Sequence, residues 1–186
     1  MNPALSNRRK SAMNICIFCS MYEVDKKYTA PAVELAREIG RRGNTLVWGG
    51  SDNGLMRRIA SAVQESGGKI VGVTMERIKE NARKKADEMI VTKDLAERKR
   101  LMRDRADAFV LLPGGIGSLD EITEILEFKK HGMNDKPVVI LNTDNFYEGL
   151  KSQLERMKRE GFISLPLEEF IYFADTPDAA LSYLER

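Results

Sequence analysis

From Asn14 onward the chain alternates short apolar runs, rich in Val, Ile, Leu and aromatics, with longer amphipathic stretches. An apolar run without polar alternation must be covered on both faces. The pattern therefore predicts parallel strands joined by helical crossovers, with helices on both faces of the sheet. The expected class is α/β, a Rossmann-like doubly wound parallel sheet. Strands are expected at 14–18, 45–48, 69–74, 89–91, 108–112, 137–141 and 170–173, and helices at 26–42, 55–66, 95–105, 119–131, 146–160 and 177–184. Gly43, Gly67–Gly68 and Gly132 stand where helix ends favour a left-handed residue, and Thr176 before Pro177 reads as an N-cap followed by proline in the first turn. Residues 13–186 show no linker, repeat or low-complexity tract and read as one Rossmann-like domain, whereas residues 1–12 are polar, basic and without period, as in a flexible N-terminal tail.

Composition narrows the partners. The 30 Lys and Arg against 28 Asp and Glu leave a formal charge of +2, too little for the concentrated basic face of a nucleic-acid binder. No apolar run approaches the roughly 18 residues of a membrane span, and the first residues lack the apolar core of a secretory signal. A cytoplasmic protein with a small-molecule ligand, and with neither nucleic acid nor membrane as partner, is the expectation. Two Cys and one His are too few for a structural zinc site. Cys16 and Cys19 lie in or at the end of the first strand, so they read as packing residues rather than a redox pair, and His131 suits the charge of a helix C-terminus.

In open parallel sheets ligands bind outside the carboxyl ends of the strands. The segment 109–121 runs from an apolar strand through Pro113-Gly114-Gly115-Ile116-Gly117-Ser118 into Leu119-Asp120-Glu121. Its glycines let backbone N–H groups converge, and with the donors of the first helical turn and the Ser118 hydroxyl they make an anion pocket suited to phosphate. A tight turn with Ser118 as N-cap is the competing reading. A second strand-glycine-helix turn follows at 47–56 with Gly49, Gly50 and Gly54. Neither turn has the Walker or dinucleotide spacing, which disfavours an ATPase or NAD enzyme and leaves paired glycine turns around a mononucleotide or sugar phosphate.

The segment 94–106 sets Leu95, Met102 and Ala106 at helical spacing as a buried stripe, with Arg98 and Lys99 at its edge. Either these cations are part of a solvated charged face, or they approach an anion in the crevice.

Together, Glu97-Arg98-Lys99, Met102, Ala106-Asp107-Ala108 and the run Pro113 to Glu121 closely resemble the signature of the LOG (Lonely Guy) family, and the resemblance extends through Gly49-Gly50, Gly54-Leu55-Met56 and Lys136-Pro137. Members are cytokinin-riboside 5'-monophosphate phosphoribohydrolases, often mislabelled lysine decarboxylases. The resemblance implies a homodimer without metal or other cofactor and a nucleoside monophosphate as its small-molecule partner. It makes Arg98 and Glu121 the catalytic pair and puts Gly49, Gly50, Arg98, Lys99, Gly114, Gly115, Ile116, Gly117, Ser118, Leu119 and Asp120 in the substrate site. Departures from the family pattern are Ser20-Met21-Tyr22 for Gly-Ser-Ser, Ser51 for the third glycine, Arg57 for the glycine after Leu-Met, Glu127-Phe128 for Thr-Trp and Ser118 for Thr.

Splitting an N-glycosidic bond builds positive charge on the ribose, which a carboxylate stabilises while it orients or deprotonates water. Glu121 suits that role, with Arg98 on the ribose phosphate or the leaving side. Ser118-Leu119-Asp120-Glu121 is equally a capping box, in which Glu121 is structural. The expected function is hydrolysis of AMP or an N6-substituted AMP to free base and ribose 5-phosphate. The alternative is a non-hydrolytic nucleotide sensor or carrier on the same fold.

Overall fold

The computed structural model describes residues 12–186. The expected tail therefore lies outside the described residues except for Ala12. The apolar runs form β1 (Asn14–Phe18), β2 (Thr45–Trp48), β3 (Lys69–Met75), β4 (Glu88–Thr92), β5 (Ala108–Leu111), β6 (Val138–Leu141) and β7 (Tyr172–Ala174). Together they make one seven-stranded sheet in the order β4-β3-β2-β1-β5-β6-β7. Every neighbouring pair is parallel. The amphipathic stretches form α1 (Lys26–Arg41), α2 (Gly54–Glu65), α3 (Leu95–Arg105), α4 (Ile116–Lys130), α5 (Glu148–Arg159), the short α6 (Leu167–Phe170) and α7 (Pro177–Leu184).

Alternate side chains of each strand enter two separate cores, which is what a doubly wound sheet requires. Ile15, Ile17, Leu46, Trp48, Val110 and Val139 meet α1, α2 and α7 on one face. Cys16, Phe18, Val47, Phe109, Leu111 and Ile140 meet α3, α4 and the region of α5 and α6 on the other. The sheet is the Rossmann-like α/β architecture that the alternation implied.

Several boundaries differ from expectation. The last strand starts after Phe170, because Leu167–Phe170 closes a helical turn before the chain extends. The fifth helix is preceded by a 3-10 turn, Thr143–Asn145, in which Asp144 and Asn145 both take positive φ. Another 3-10 turn, Glu76–Asn81, follows β3. The most consequential shift is in α4, which begins at Ile116 with Gly115 as its N-cap. Ser118 is therefore inside the first turn, and Glu121 is too far along the helix to close a capping box.

Chain order reverses between β1 and β5, the switch point at which both neighbouring crossovers turn away and leave a crevice. From β4 at the sheet edge, α3 returns across β3, β2 and β1 to reach β5. That long return carries the charged helix beneath the crevice.

Candidate active site

A cavity of about 340 Å³ opens at this crevice. Its floor is an ion pair: Arg98 Nη1 donates to Glu121 Oε1 at 2.8 Å, and both side chains are more than nine-tenths buried. Arg98 Nε donates to the Val73 carbonyl of β3 at 2.8 Å, so the guanidinium is fixed from two directions. Burial pushes the Glu121 carboxyl above its ordinary range, and the Arg98 charge pulls it part of the way back. Such a carboxyl holds its proton more tightly than a surface glutamate yet faces a cation that favours the ionised form.

The buried stripe of α3 differs from the expected one. Leu95 is 47% exposed, whereas Arg98 and Met102 are buried on α3, followed by Ala106 just beyond it. The inward face thus begins with a cation, because Glu121 and the Val73 carbonyl receive it. Gly49 makes room for it, since a Cβ there would overlap Arg98 Nη2. The missing side chain of Gly49 is what admits the guanidinium.

The two glycine turns have opposite states. At the start of α2, the Leu55 N–H donates to the Tyr22 carbonyl at 3.1 Å and the Met56 N–H to the Ser20 carbonyl at 3.2 Å. Gly54, with φ +51°, allows the 20–22 backbone to lie against the helix end. These two first-turn donors are occupied by the chain's own carbonyls. At the start of α4 the N-cap is a glycine with no side-chain bond, and the N–H groups of Gly117 and Ser118 have no acceptor among the described residues. A Cβ on Gly115 or Gly117 would meet nothing within 4 Å. The turn is open to an anion. Behind it the Tyr147 hydroxyl donates to the Leu112 carbonyl at 2.9 Å, and the Leu112 N–H donates to the Phe18 carbonyl at 3.0 Å, bracing the approach from both sides. Burial pushes the Tyr147 phenol up.

Of the residues expected in the site, Gly49, Arg98, Gly115, Ile116, Gly117, Ser118 and Glu121 line the cavity. Gly50, Lys99, Gly114, Leu119 and Asp120 do not. Lys99 instead bridges α3 to α4 by ion pairs with Glu124 at 2.6 Å and Asp120 at 3.1 Å. Leu119 packs against the second core, and Gly114 backs onto the Ser118 side chain. Cys16 and Cys19 are buried free thiols, pushed up by that burial, and Cys19 reaches the cavity wall. His131 pairs with Glu127 on the surface. Sequence reasoning missed Thr74, Met56, Ile78 and Asn81, which also line the cavity. Thr74, Ile78 and Asn81 lie at or beyond the carboxyl end of β3, the position that flagged the other turns; their segment lacks the glycines that drew attention there.

Residues 56–184 match the family described as "Possible lysine decarboxylase". A probable cytokinin riboside 5'-monophosphate phosphoribohydrolase of Oryza sativa subsp. japonica is 37% identical over 92% of this chain and 70% of its own length. The chain belongs to the LOG family. Within the LOG family, a cytokinin riboside 5'-monophosphate phosphoribohydrolase of Arabidopsis thaliana is 34% identical, covering 97% of this chain and 86% of that protein. One of Mycobacterium tuberculosis is 36% identical, covering 90% of each. Among solved structures, a molybdenum cofactor binding protein of Rippkaea orientalis superposes with TM-score 0.74 at 20% identity over 94% of this chain and 96% of that one, a likeness of fold. The lysine amine that a pyridoxal-phosphate decarboxylase needs for its Schiff base is not among the residues lining the LOG-family cavity here. Among the described residues no group of three or more His, Cys, Asp or Glu side chains could hold a metal ion, and no helix is long and apolar enough to cross a membrane.

Proposed function

We propose that this chain hydrolyses the N-glycosidic bond of a nucleoside 5'-monophosphate, AMP or an N6-substituted AMP, to free base and ribose 5-phosphate. The observation that carries the proposal is that an open helix N-terminus and a buried Arg98–Glu121 pair face one cavity.

The phosphate sits on the Gly115–Ser118 turn, held by backbone N–H groups, the α4 dipole and the Ser118 hydroxyl. This non-reacting group anchors the substrate so that the scissile bond lies over Arg98 and Glu121. As the bond from ribose C1' to the base nitrogen lengthens, positive charge grows on the ribose and negative charge on the base. The Glu121 carboxylate stabilises the first and takes a proton from the attacking water, whose oxygen bonds to C1'. Arg98, tied to β3, lies on the leaving side and offsets the charge on the base, which leaves with a proton taken from solvent while Glu121 returns to solvent the proton it took from the attacking water. We assign the catalytic roles to Arg98 and Glu121 and the phosphate to Gly115, Gly117 and Ser118. We further propose that the protein acts in the cytoplasm as a homodimer, an arrangement in which exposed apolar side chains such as Phe162 and Met133 could be covered.

The test is release of free base from a panel of nucleoside monophosphates and the matching nucleosides, followed by chromatography. Loss of the phosphate is expected to lower kcat/KM by at least about tenfold, since charge-assisted contacts contribute ~1.5 to 3 kcal/mol each. Equal turnover of AMP and adenosine contradicts the assignment of the phosphate site, and binding without base release favours the carrier alternative.

A further inference from the structure

The cavity extends beyond the α4 turn to Met21, Tyr22 and Met56, which follow β1 and β2, and to Ile78 and Asn81 of the 3-10 turn after β3. In the sheet, β3 and β5 are separated by β2 and β1. Three strand spacings make about 14 Å between their ends, the scale of a mononucleotide laid across the crevice. On the reading of the preceding section, with phosphate at α4 and the glycosidic bond over Arg98 and Glu121, the base reaches these residues.

Met21, Met56 and Ile78 offer the faces of a base apolar contact but cannot distinguish one base from another by hydrogen bonding. Asn81 can. It is the one carboxamide among the lining residues, and its side chain makes no hydrogen bond among the described residues. Its backbone is nevertheless held: the Asp52 N–H donates to the Asn81 carbonyl at 2.7 Å, the Arg83 N–H donates to the Gly50 carbonyl at 2.9 Å, and Ser51 and Ala82 form an isolated antiparallel bridge. Arg83 also donates to Asp52 at 2.6 Å and to Gln64 at 3.0 Å. The segment after β3 is thus stitched to the first glycine turn as a fixed strap, with one unpaired amide presented at the rim of the cavity.

We propose that Asn81 is a specificity-determining residue that reads the base edge. Adenine carries an amino donor beside a ring-nitrogen acceptor on each of its polar edges, and a carboxamide matches that pair with its oxygen and its NH2 group. An N6-substituted adenine keeps one N–H, so the match survives. A carboxylate at this position offers acceptors alone. It faces the adenine ring nitrogen with like polarity, but it matches the adjacent N1–H and amino donors of guanine.

The experiment measures calorimetric binding and base release for AMP and GMP with the wild type, Asn81→Asp and Asn81→Ala. Because the side chain has no partner in the protein, both variants should melt with the wild type. The AMP to GMP ratio is expected to fall at least about tenfold in Asn81→Asp, by the discrimination typical of a bidentate base contact, and to move towards unity in Asn81→Ala. An unchanged ratio in Asn81→Asp overturns the proposal. A shifted binding ratio without base release from any variant upholds Asn81 and overturns the hydrolase reading, and a wild type that binds neither nucleotide overturns both.

Discussion

The turns after β2 and β5 look alike in sequence, each an apolar strand, two glycines and the start of a helix, yet they differ in what their free N–H groups meet. After β2, the first-turn donors of α2 are taken by the Ser20 and Tyr22 carbonyls, and Gly49 gives its space to Arg98. After β5, the donors of α4 and the space beside Gly115 and Gly117 are left open. Glycine-rich composition permits an anion site; whether one exists depends on whether another part of the chain has already filled it. The first turn has become a support for the guanidinium, and the second is the one able to receive a ligand.

The sharpest way to break this comparison is Glu121→Gln, which alters the carboxylate carried by the helix of the open turn. Glutamine keeps a carbonyl for Arg98 but not the charge an oxocarbenium-like transition state requires. A kcat loss on the order of 10²- to 10⁴-fold is expected, with folding stability lowered by no more than ~3 kcal/mol. A variant that melts early but turns over normally would make Glu121 only a structural partner of Arg98. Arg98→Ala is the harsher change, because it leaves Glu121 buried and unpaired, so it should lower folding stability as well as turnover.

A pair of glycine substitutions separates the roles of the turns. Gly49→Ala should displace the guanidinium and lower kcat by up to about 10²-fold, the effect of a misplaced catalytic group, while affinity for ribose 5-phosphate stays unchanged. Gly115→Ala should do the reverse: its Cβ would enter the space left open for the anion and push it off one charge-assisted contact, weakening that affinity about tenfold. Identical profiles for the two variants would erase the distinction between the turns.

The pH dependence follows from the Glu121 environment. Its folded pKa lies above the ordinary 4.5, so the working carboxylate forms only above that value and the acid limb of kcat should lie above pH 4.5. For stability the sign is opposite: the folded state holds this proton more tightly, so the contribution is full below the unfolded pKa and is lost as pH rises through the folded one. A kcat profile flat down to pH 4 contradicts the assignment. The smallest effect expected is that of Tyr147→Phe, which removes the bond to Leu112 and should cost about 0.5 to 1.5 kcal/mol of stability, with a modest rise in KM for the phosphorylated substrate. A thermal melt and KM for AMP check it.

The fold was legible because burial on both faces of a parallel sheet leaves its mark on each strand separately; all seven runs became strands. Helix starts were harder to read. Ile116 is 83% exposed and flanked by glycines, so neither propensity nor a side-chain cap marks the beginning of α4, and Ser118 was the natural choice. Periodicity on α3 correctly found Met102 and Ala106 but put Leu95 inside, because a local pattern cannot know that Glu121 and the Val73 carbonyl wait to neutralise Arg98. Lys99, which the family resemblance put in the substrate site, is instead paired with Asp120 and Glu124 of the facing helix. The strap at Ile78 and Asn81 carried no periodic signal at all.

The central claim is that one glycine turn, not two, receives the phosphate. Titrating ribose 5-phosphate into isotopically labelled protein and following the backbone amide resonances tests it directly. The amides of Gly117 and Ser118 are expected to shift in proportion to occupancy while those of Leu55 and Met56 stay still, and shifts at Leu55 and Met56 with none at Gly117 and Ser118 would contradict it.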